Sequence, residues 1–454
     1  MKTTPIPPSN QRRALRAALL VALGVAASVF AAVPAAEAQR YGLVAQWGKS
    51  GSGNGEFADF RLNLATDHLG NVYVVDGSSH FDRIQKFTSN GRFVTMWDSG
   101  RDSRGNRRLG GWTPTEVATD RAGNVYVAGR GHPYFLGGVV AKYTSGGTLL
   151  AEWYEWSRAF LGPFDDRPHT PQALDTDAAG NVYIANDVDP FIVKLNPNGR
   201  ILTAWGSRGS GDGQFIAPDG LATDRAGDVY VSDRSNHTVQ KFSANGRFIT
   251  RWGGFGRGDG QFENPRGVAT DGSNNVFVVD GYHTIQKFAS SGRFLTRWGR
   301  APDVSPPPPP PPPPPVPRSR RARSPYVVGP TDAATDAAGN VYIADVGHSV
   351  RKFGPAPTRP GIRKGPKRRT RKRSAVFTFH FHSQTPGVRF QCRLTGQRVP
   401  RTLRRWRRCR SPKRYRNLRP GTKTFWVRGI GRAGLVGEPD TKRWRIVPGK
   451  SRRR

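Results

Sequence analysis

The chain has 454 residues, 36% of them hydrophobic and 10% aromatic, which is room for two or three domains. Its two cysteines exclude a cysteine-based zinc finger or metal cluster. The net charge of +38 is uneven: residues 355–454 hold 32 Lys and Arg against Glu438 and Asp440, so a polycation follows a nearly neutral body. Taken in chain order, Lys2, Arg12, Arg13 and Arg16 come first, then an apolar stretch from Ala17 to Ala32, then Ala36-Glu37-Ala38 in the form of a cleavage site. This predicts a secretion signal over 1–38. A membrane anchor fits less well, because the apolar run is short and broken by Gly24 and Ser28. Export would put Cys392 and Cys409 in an oxidising space, where one disulfide is expected.

The phrase Gly70-Asn71-Val72-Tyr73 returns at Gly123, Gly180, Gly227, Asn274 and Gly339. A second phrase follows most copies: Ile84-Gln85-Lys86-Phe87, Val239-Gln240-Lys241-Phe242, Ile285-Gln286-Lys287-Phe288 and Val350-Arg351-Lys352-Phe353. A third runs from Gly91-Arg92-Phe93 to Trp97 and recurs at Gly199, Gly246 and Gly292. A repeat of roughly 40–50 residues made of short strands and turns predicts propeller blades. Each copy reads as four strands, a to d; in the first they are Leu64–Thr66, Asn71–Asp76, Arg83–Phe87 and Arg92–Trp97. The sixth copy lacks strand d, and a spare one stands at Leu43–Gly48. Pairing the two predicts a ring of six blades over 41–354, with no open sheet edge.

Through Trp205-Gly206, Gly209, Gly211, Gly213, Phe215, Pro218, Ala222-Thr223-Asp224, Gly227 to Asp233, Asn236-His237 and Gln240-Lys241-Phe242, the chain resembles the NHL-repeat family of six-bladed propellers. The second repeat departs, with Gly129 where others end strand b in Asp, and the third has Asn186-Asp187 without a following His. The resemblance implies the fold. It selects no function, since the family spans RNA-binding modules, ubiquitin-ligase substrate readers, bacterial sensor domains and metal-dependent lyases.

Ten prolines at 306–315 would extend roughly 31 Å as polyproline II and read as a loop insertion over 300–325, between the fifth and sixth blades. Residues 355–374 read as a basic Pro/Gly linker and 448–454 as a basic tail. Residues 375–447 read as a small basic β-sandwich. It resembles the immunoglobulin-like or fibronectin-like modules of secreted bacterial proteins through Pro386-Gly387, Phe390-Gln391-Cys392, Cys409, Ser411-Pro412, Tyr415 and Trp426-Val427-Arg428. The fold class is therefore all-β: a propeller plus a small sandwich.

The long, irregular connections all fall on one face of the ring, where a rigid scaffold places binding groups. Trp112, Tyr134, Tyr154, Trp156 and Phe160 cluster there, either as a face for sugar or peptide or as packing for their own loops. His80, His132, His237, His283 and His348 share one blade position. Zinc needs nitrogens at ~2.0–2.1 Å from one ion, which separate blades do not bring about, so a repeated turn contact is the reading. At the channel mouth Asn63, Glu116, Asp219 and Asp332 offer oxygens to a metal, as in propellers of the gluconolactonase and amidating-lyase kind. The glycine loops 206–213 and 253–260 look like phosphate cradles but precede no helix.

Arg368, Arg369, Arg371, Arg404, Arg405, Arg407 and Arg408 would attract polyanions in a salt-dependent way. The expectation is an exported bacterial binding scaffold, monomeric and without cofactor. It would take a protein, peptide or glycan ligand and be tethered to an anionic cell-envelope polymer rather than to genomic nucleic acid. The alternative is a lyase or lactonase using Ca²⁺ or Zn²⁺ at the channel mouth.

Overall fold

The structure, a computed structural model, describes residues 40–448 apart from 60, 79–80, 99–111, 131–137, 155–169, 187–191, 282–283, 300–328, 358, 382–387 and 432–434. The expected signal, the proline insertion and the last six residues lie outside that set. Among the described residues, six antiparallel four-stranded sheets form the body. Sheet 1 holds Asn63–Thr66, Val72–Ser78, Phe81–Phe87 and Phe93–Asp98. Sheet 2 runs from Thr113–Thr119 to Leu149–Tyr154, sheet 3 from Pro171–Thr176 to Ile201–Trp205, sheet 4 from Pro218–Thr223 to Phe248–Gly253 and sheet 5 from Pro265–Thr270 to Phe294–Trp298. Sheet 6 joins Pro330–Thr335, Val341–Asp345 and Ser349–Pro355 to the N-terminal strand Tyr41–Trp47. The pairing of Leu43 with Phe353 and Trp47 with Val350 is the closure expected from the spare strand.

Burial follows position in the sheet. Strand b is covered on both faces by neighbouring sheets, so Val229–Asp233 is buried throughout. Strand d has one solvated face, and Phe248–Gly253 alternates. The inner strands touch in sequence around the ring, the sixth returning to the first. One threonine per inner strand ties this circuit. Thr119, Thr176, Thr223 and Thr270 Oγ1 donate to the preceding threonine carbonyl at 2.8, 2.9, 2.9 and 2.6 Å. Thr335 donates to Thr270, and Thr66 to Thr335, each at 2.5 Å, so the belt closes on itself.

The repeated phrases are the fabric of this core. The a–b turn Asp takes backbone amides on Oδ1, as Asp224 does from Ala226 and Asp228, while its Oδ2 accepts the strand-b tyrosine hydroxyl, Tyr230, at 2.9 Å. The strand-c lysine ammonium lies over the strand-b ring, a tyrosine in five sheets and Phe277 in sheet 5, at 4.9–5.2 Å in all six. Adjacent sheets lock through strand-d tryptophans. Trp97, Trp153, Trp205 and Trp252 each cover the c–d turn glycine of the next sheet, and Trp47 covers Gly91. Sheet 6 has no such turn because its strands c and d come from opposite ends of the chain, so Trp298 stacks on Tyr41 instead, at 4.4 Å.

After the ring, two sheets enclose one core of Phe377, Leu394, Phe425, Val427 and Trp444 among others. The three-stranded one contains Gly361–Lys364, Ala375–His380 and Lys413–Tyr415. The five-stranded one has the order Arg369–Thr370, Asp440–Ile446, Gly421–Ile430, Arg389–Gly396, Arg407–Cys409. Cys392 and Cys409 form the expected disulfide. The reading of 355–374 as a linker needs correction. Two strands lie in it, one paired with Ala375–His380 and one parallel to Asp440–Ile446. Ile362 packs on the core and its amide donates to Asp440 Oδ2, contacts that composition alone did not show.

Candidate functional site

The inner strands enclose a cavity of about 420 Å³ at one end of the ring, lined by Asn63, Glu116, Asp175, Asp219, Arg266 and Asp332 among others. The asymmetry comes from one equivalent position. Sheets 6, 1 and 2 place Asp332, Asn63 and Glu116 there, while sheets 3, 4 and 5 place Ala173, Gly220 and Gly267. The glycines are sterically required. A Cβ at Gly220 would sit 2.3 Å from the Arg266 carbonyl, and one at Gly267 would sit 2.5 Å from Asp332 Oδ1.

Of the four metal candidates, all line this cavity but each has its own partner. Asn63 Nδ2 donates to Glu116 Oε1 at 2.7 Å and to the Thr115 carbonyl. Asp332 Oδ2 accepts the Leu64 amide at 2.9 Å, which ties sheet 6 to sheet 1. Asp219 faces Arg234 at 3.8 Å. Among the described residues no three His, Cys, Asp or Glu groups are placed to hold a metal ion.

The sequence reading missed Asp175. It stands where the other inner strands carry Ala65, Ala118, Ala222, Ala269 and Ala334, and that break in the repeat was the available signal. Its Oδ2 accepts the Thr223 amide at 2.6 Å and lies 3.0 Å from the Thr223 hydroxyl oxygen. Burial pushes its carboxyl up to about 6, against the lowering effect of the Thr223 bonds. Asp332 is pushed up to about 7, first by burial and then by the charges of Asp219 and Asp175, with the Leu64 and Ala333 amides opposing. Glu116 is raised well above the usual carboxylate range by burial and by Asp332 and Asp219. The cavity thus holds carboxyl groups that exchange protons near neutrality and can donate as well as accept hydrogen bonds.

The aromatic candidates fare differently. Trp112 is 3% exposed and belongs to the core between sheets 1 and 2, so it is not a ligand-facing residue. Its ring also explains Gly129, since a Cβ there would meet Trp112 at 2.4 Å. Elsewhere the strand-end Asp anchors the incoming chain, as Asp233 does through Ile216 and Ala217. Tyr134, Trp156 and Phe160 lie outside the described residues, as does the side chain of Tyr154. His80, His132 and His283 also lie outside them. His237 and His348 sit at φ 57° and 54°, turn positions of the b–c connection. The glycine loops spend amides internally: Gly213 and Gly260 donate to Gln240 and Gln286 at 2.8 and 2.9 Å. Arg368, Arg369, Arg371, Arg404, Arg405, Arg407 and Arg408 are all exposed.

The NHL repeat family model matches residues 215–242, the strand-a to strand-c part of sheet 4. No curated protein matches the chain. Among solved structures, the chain is similar to a protein of unknown function from Bacteroides thetaiotaomicron, with 18% identity, TM-score 0.47, and 70% of this chain and 76% of that one covered. It is also similar to a streptogramin B lyase, with 12% identity, TM-score 0.43, and 66% and 96% covered. A third is a protein of unknown function from Bacteroides caccae, with 15% identity, TM-score 0.40, and 61% and 82% covered.

Proposed function

We propose that this chain is an exported bacterial six-bladed NHL-type propeller that works as a monomeric binding scaffold. Its channel-mouth face takes a protein, peptide or glycan ligand, and its immunoglobulin- or fibronectin-like module holds it at an anionic cell envelope. Residues 1–38 act as the export signal, 41–354 as the propeller and the remainder as the tether. The observation that carries this reading is the segregation of charge. The module's two acids are already engaged, Glu438 by Arg40 at 2.6 Å and Asp440 by Arg359 at 2.8 Å, while the seven candidate arginines stand in solvent. Such a surface binds polyanions with a steep salt dependence.

The test is retention of the mature full-length protein on isolated cell envelopes across a salt series. Retention that falls linearly in log salt supports the tether, and Arg404→Gln/Arg405→Gln/Arg407→Gln/Arg408→Gln should shift the curve to lower salt. Retention insensitive to salt would sink it. A second reading is favoured by one observation: Glu116, Asp175, Asp219 and Asp332 share a cavity. On that reading the protein is a lyase or lactonase, and Ca²⁺ or Zn²⁺ should co-purify at one per chain and vanish in Glu116→Gln.

A further inference from the structure

The outer face of the five-stranded sheet carries a geometry that charge counting does not show. Register sets Arg408 and Arg428 beside Gln391 in one row, Arg393 beside Trp426 in the next, Arg443 beside Thr424 in the third, and Arg445 beside Thr422 and Arg369 in the fourth. Successive rows lie about 6.6–6.8 Å apart along the strands. The opposite face of the same strands is the core, with Leu394, Phe425, Val427 and Trp444 buried. Like charges on neighbouring strands are normally unfavourable. Two of them, Arg393 and Arg428, are held by stacking. The Arg393 guanidinium lies 4.7 Å from the Trp406 ring centre and 4.8 Å from that of Trp426, and Arg428 lies 4.1 Å from Trp406. Gln391 Oε1 accepts from Arg428 Nε and Nη2 at 3.2 and 2.9 Å. Burial, and then the charge of Arg393, lower the Arg428 pKa. The buried Arg393 Nε has no hydrogen-bond partner among the described residues.

We infer that this face is a pre-formed binding site for a linear, base-free oxyanion polymer of a cell envelope, recognised by the fixed guanidinium array. The assignment deepens the tether reading and rests on it. Planar guanidinium forks match phosphate and carboxylate oxygens, and stacking fixes their orientation before binding. We take the polymer as base-free because single-stranded nucleic acid stacks its bases on aromatic rings, and the two tryptophans of this face already stack against Arg393 and Arg428. A lipid surface is disfavoured because, among the described residues, the exposed large hydrophobic side chains of this face reduce to Val436, beside Ile430 at the strand end, which is too little for insertion.

The experiment measures binding of the mature full-length protein to poly(glycerol phosphate) at fixed salt. Arg393→Lys/Arg428→Lys keeps the charge but loses the fork and the stack, and is expected to weaken binding about tenfold or more. Arg414→Gln/Arg416→Gln removes two charges in and just after the strand Lys413–Tyr415 of the other sheet and is expected to weaken it less than about threefold. If the lysine pair melts early, Gln391→Ala releases Arg428 alone and is expected to cost severalfold. No change in the lysine pair or, failing that, in Gln391→Ala overturns the array while leaving the salt-sensitive tether standing. No binding by the parent protein to any polyanion removes both. An oligothymidylate or anionic vesicles bound as tightly as poly(glycerol phosphate) overturns the base-free assignment.

Discussion

Asp224 and Asp332 are the same residue type put to opposite uses. Asp224 accepts two amides and the Tyr230 hydroxyl, and fixes a turn. Asp224→Ala leaves that buried hydroxyl unpaired and two amides unbonded, so we expect a loss of about 2–3 kcal/mol in urea unfolding, with a smaller loss in Asp224→Asn. Asp332 sits on the cavity wall with its carboxyl pushed up to about 7 by burial and neighbouring acids. The fold therefore favours its neutral form. Its contribution to stability is fully present below the ordinary carboxylate pKa and is lost as pH rises through about 7. Asp332→Asn should match the parent near pH 4 and become the more stable of the two by pH 8. The difference in melting temperature should be on the order of 2 °C, and a difference that stays flat with pH would refute the assignment. At this scale the sequence was half legible. Glu116 and Asp332 stood out because they interrupt a run of small residues at the mouth. Asp175 did not, because its signal lies only in the comparison with the alanines at the same place in the other inner strands. Trp112 misled because a tryptophan after a long loop looks the same whether it faces a ligand or fills a core.

Strands speak through their edges. The tryptophan that ends strand d and the glycine that turns strand c into d belong to neighbouring sheets, so one repeat's end is complementary to the next repeat's turn. Gly246 shows both requirements: its φ is 81° and a Cβ would lie 2.6 Å from Trp205 Cδ2. Gly246→Ala should cost about 2–3 kcal/mol, from left-handed strain plus the displaced indole. Trp205→Ala in the same background should cost less than it does alone, since the clash it relieves is the one the alanine creates. A strictly additive double-mutant cycle would show that the two residues do not meet. This level was the most legible, because a physical unit repeated six times leaves the same phrase each time. The strands Gly361–Lys364 and Arg369–Thr370 left no phrase. They are short, charged on their solvent side, and bury little beyond Ile362.

The ring and the basic module meet at the sheet whose strands come from both ends of the ring's chain. Every sheet but the sixth is a single run of chain; the sixth is closed only by the pairing of Tyr41–Trp47 with Ser349–Pro355. Leu435 of the module packs directly on Gly42 and Gly354, one from each of these paired strands, where even a methyl group on Gly42 would lie 2.6 Å from it. Arg40 reaches Glu438 at 2.6 Å beside it, and the Ala356 amide donates to the Arg40 carbonyl at 2.7 Å. The ion pair is exposed and contributes about 1 kcal/mol at most. The leucine contact covers both strands of the closing seam. The module therefore clasps the closure as well as offering a charged face, and strand pairing replaces the linker that composition suggested over 355–374. Ring and module should then melt in one calorimetric transition. Leu435→Asp puts a charge into the seam and should split it in two, with the ring melting earlier. Glu438→Gln, which removes only the surface pair, should leave the single transition in place. A Leu435→Asp protein that still melts as one unit would mean that the seam holds without the clasp, and the module would then be a passenger on the ring.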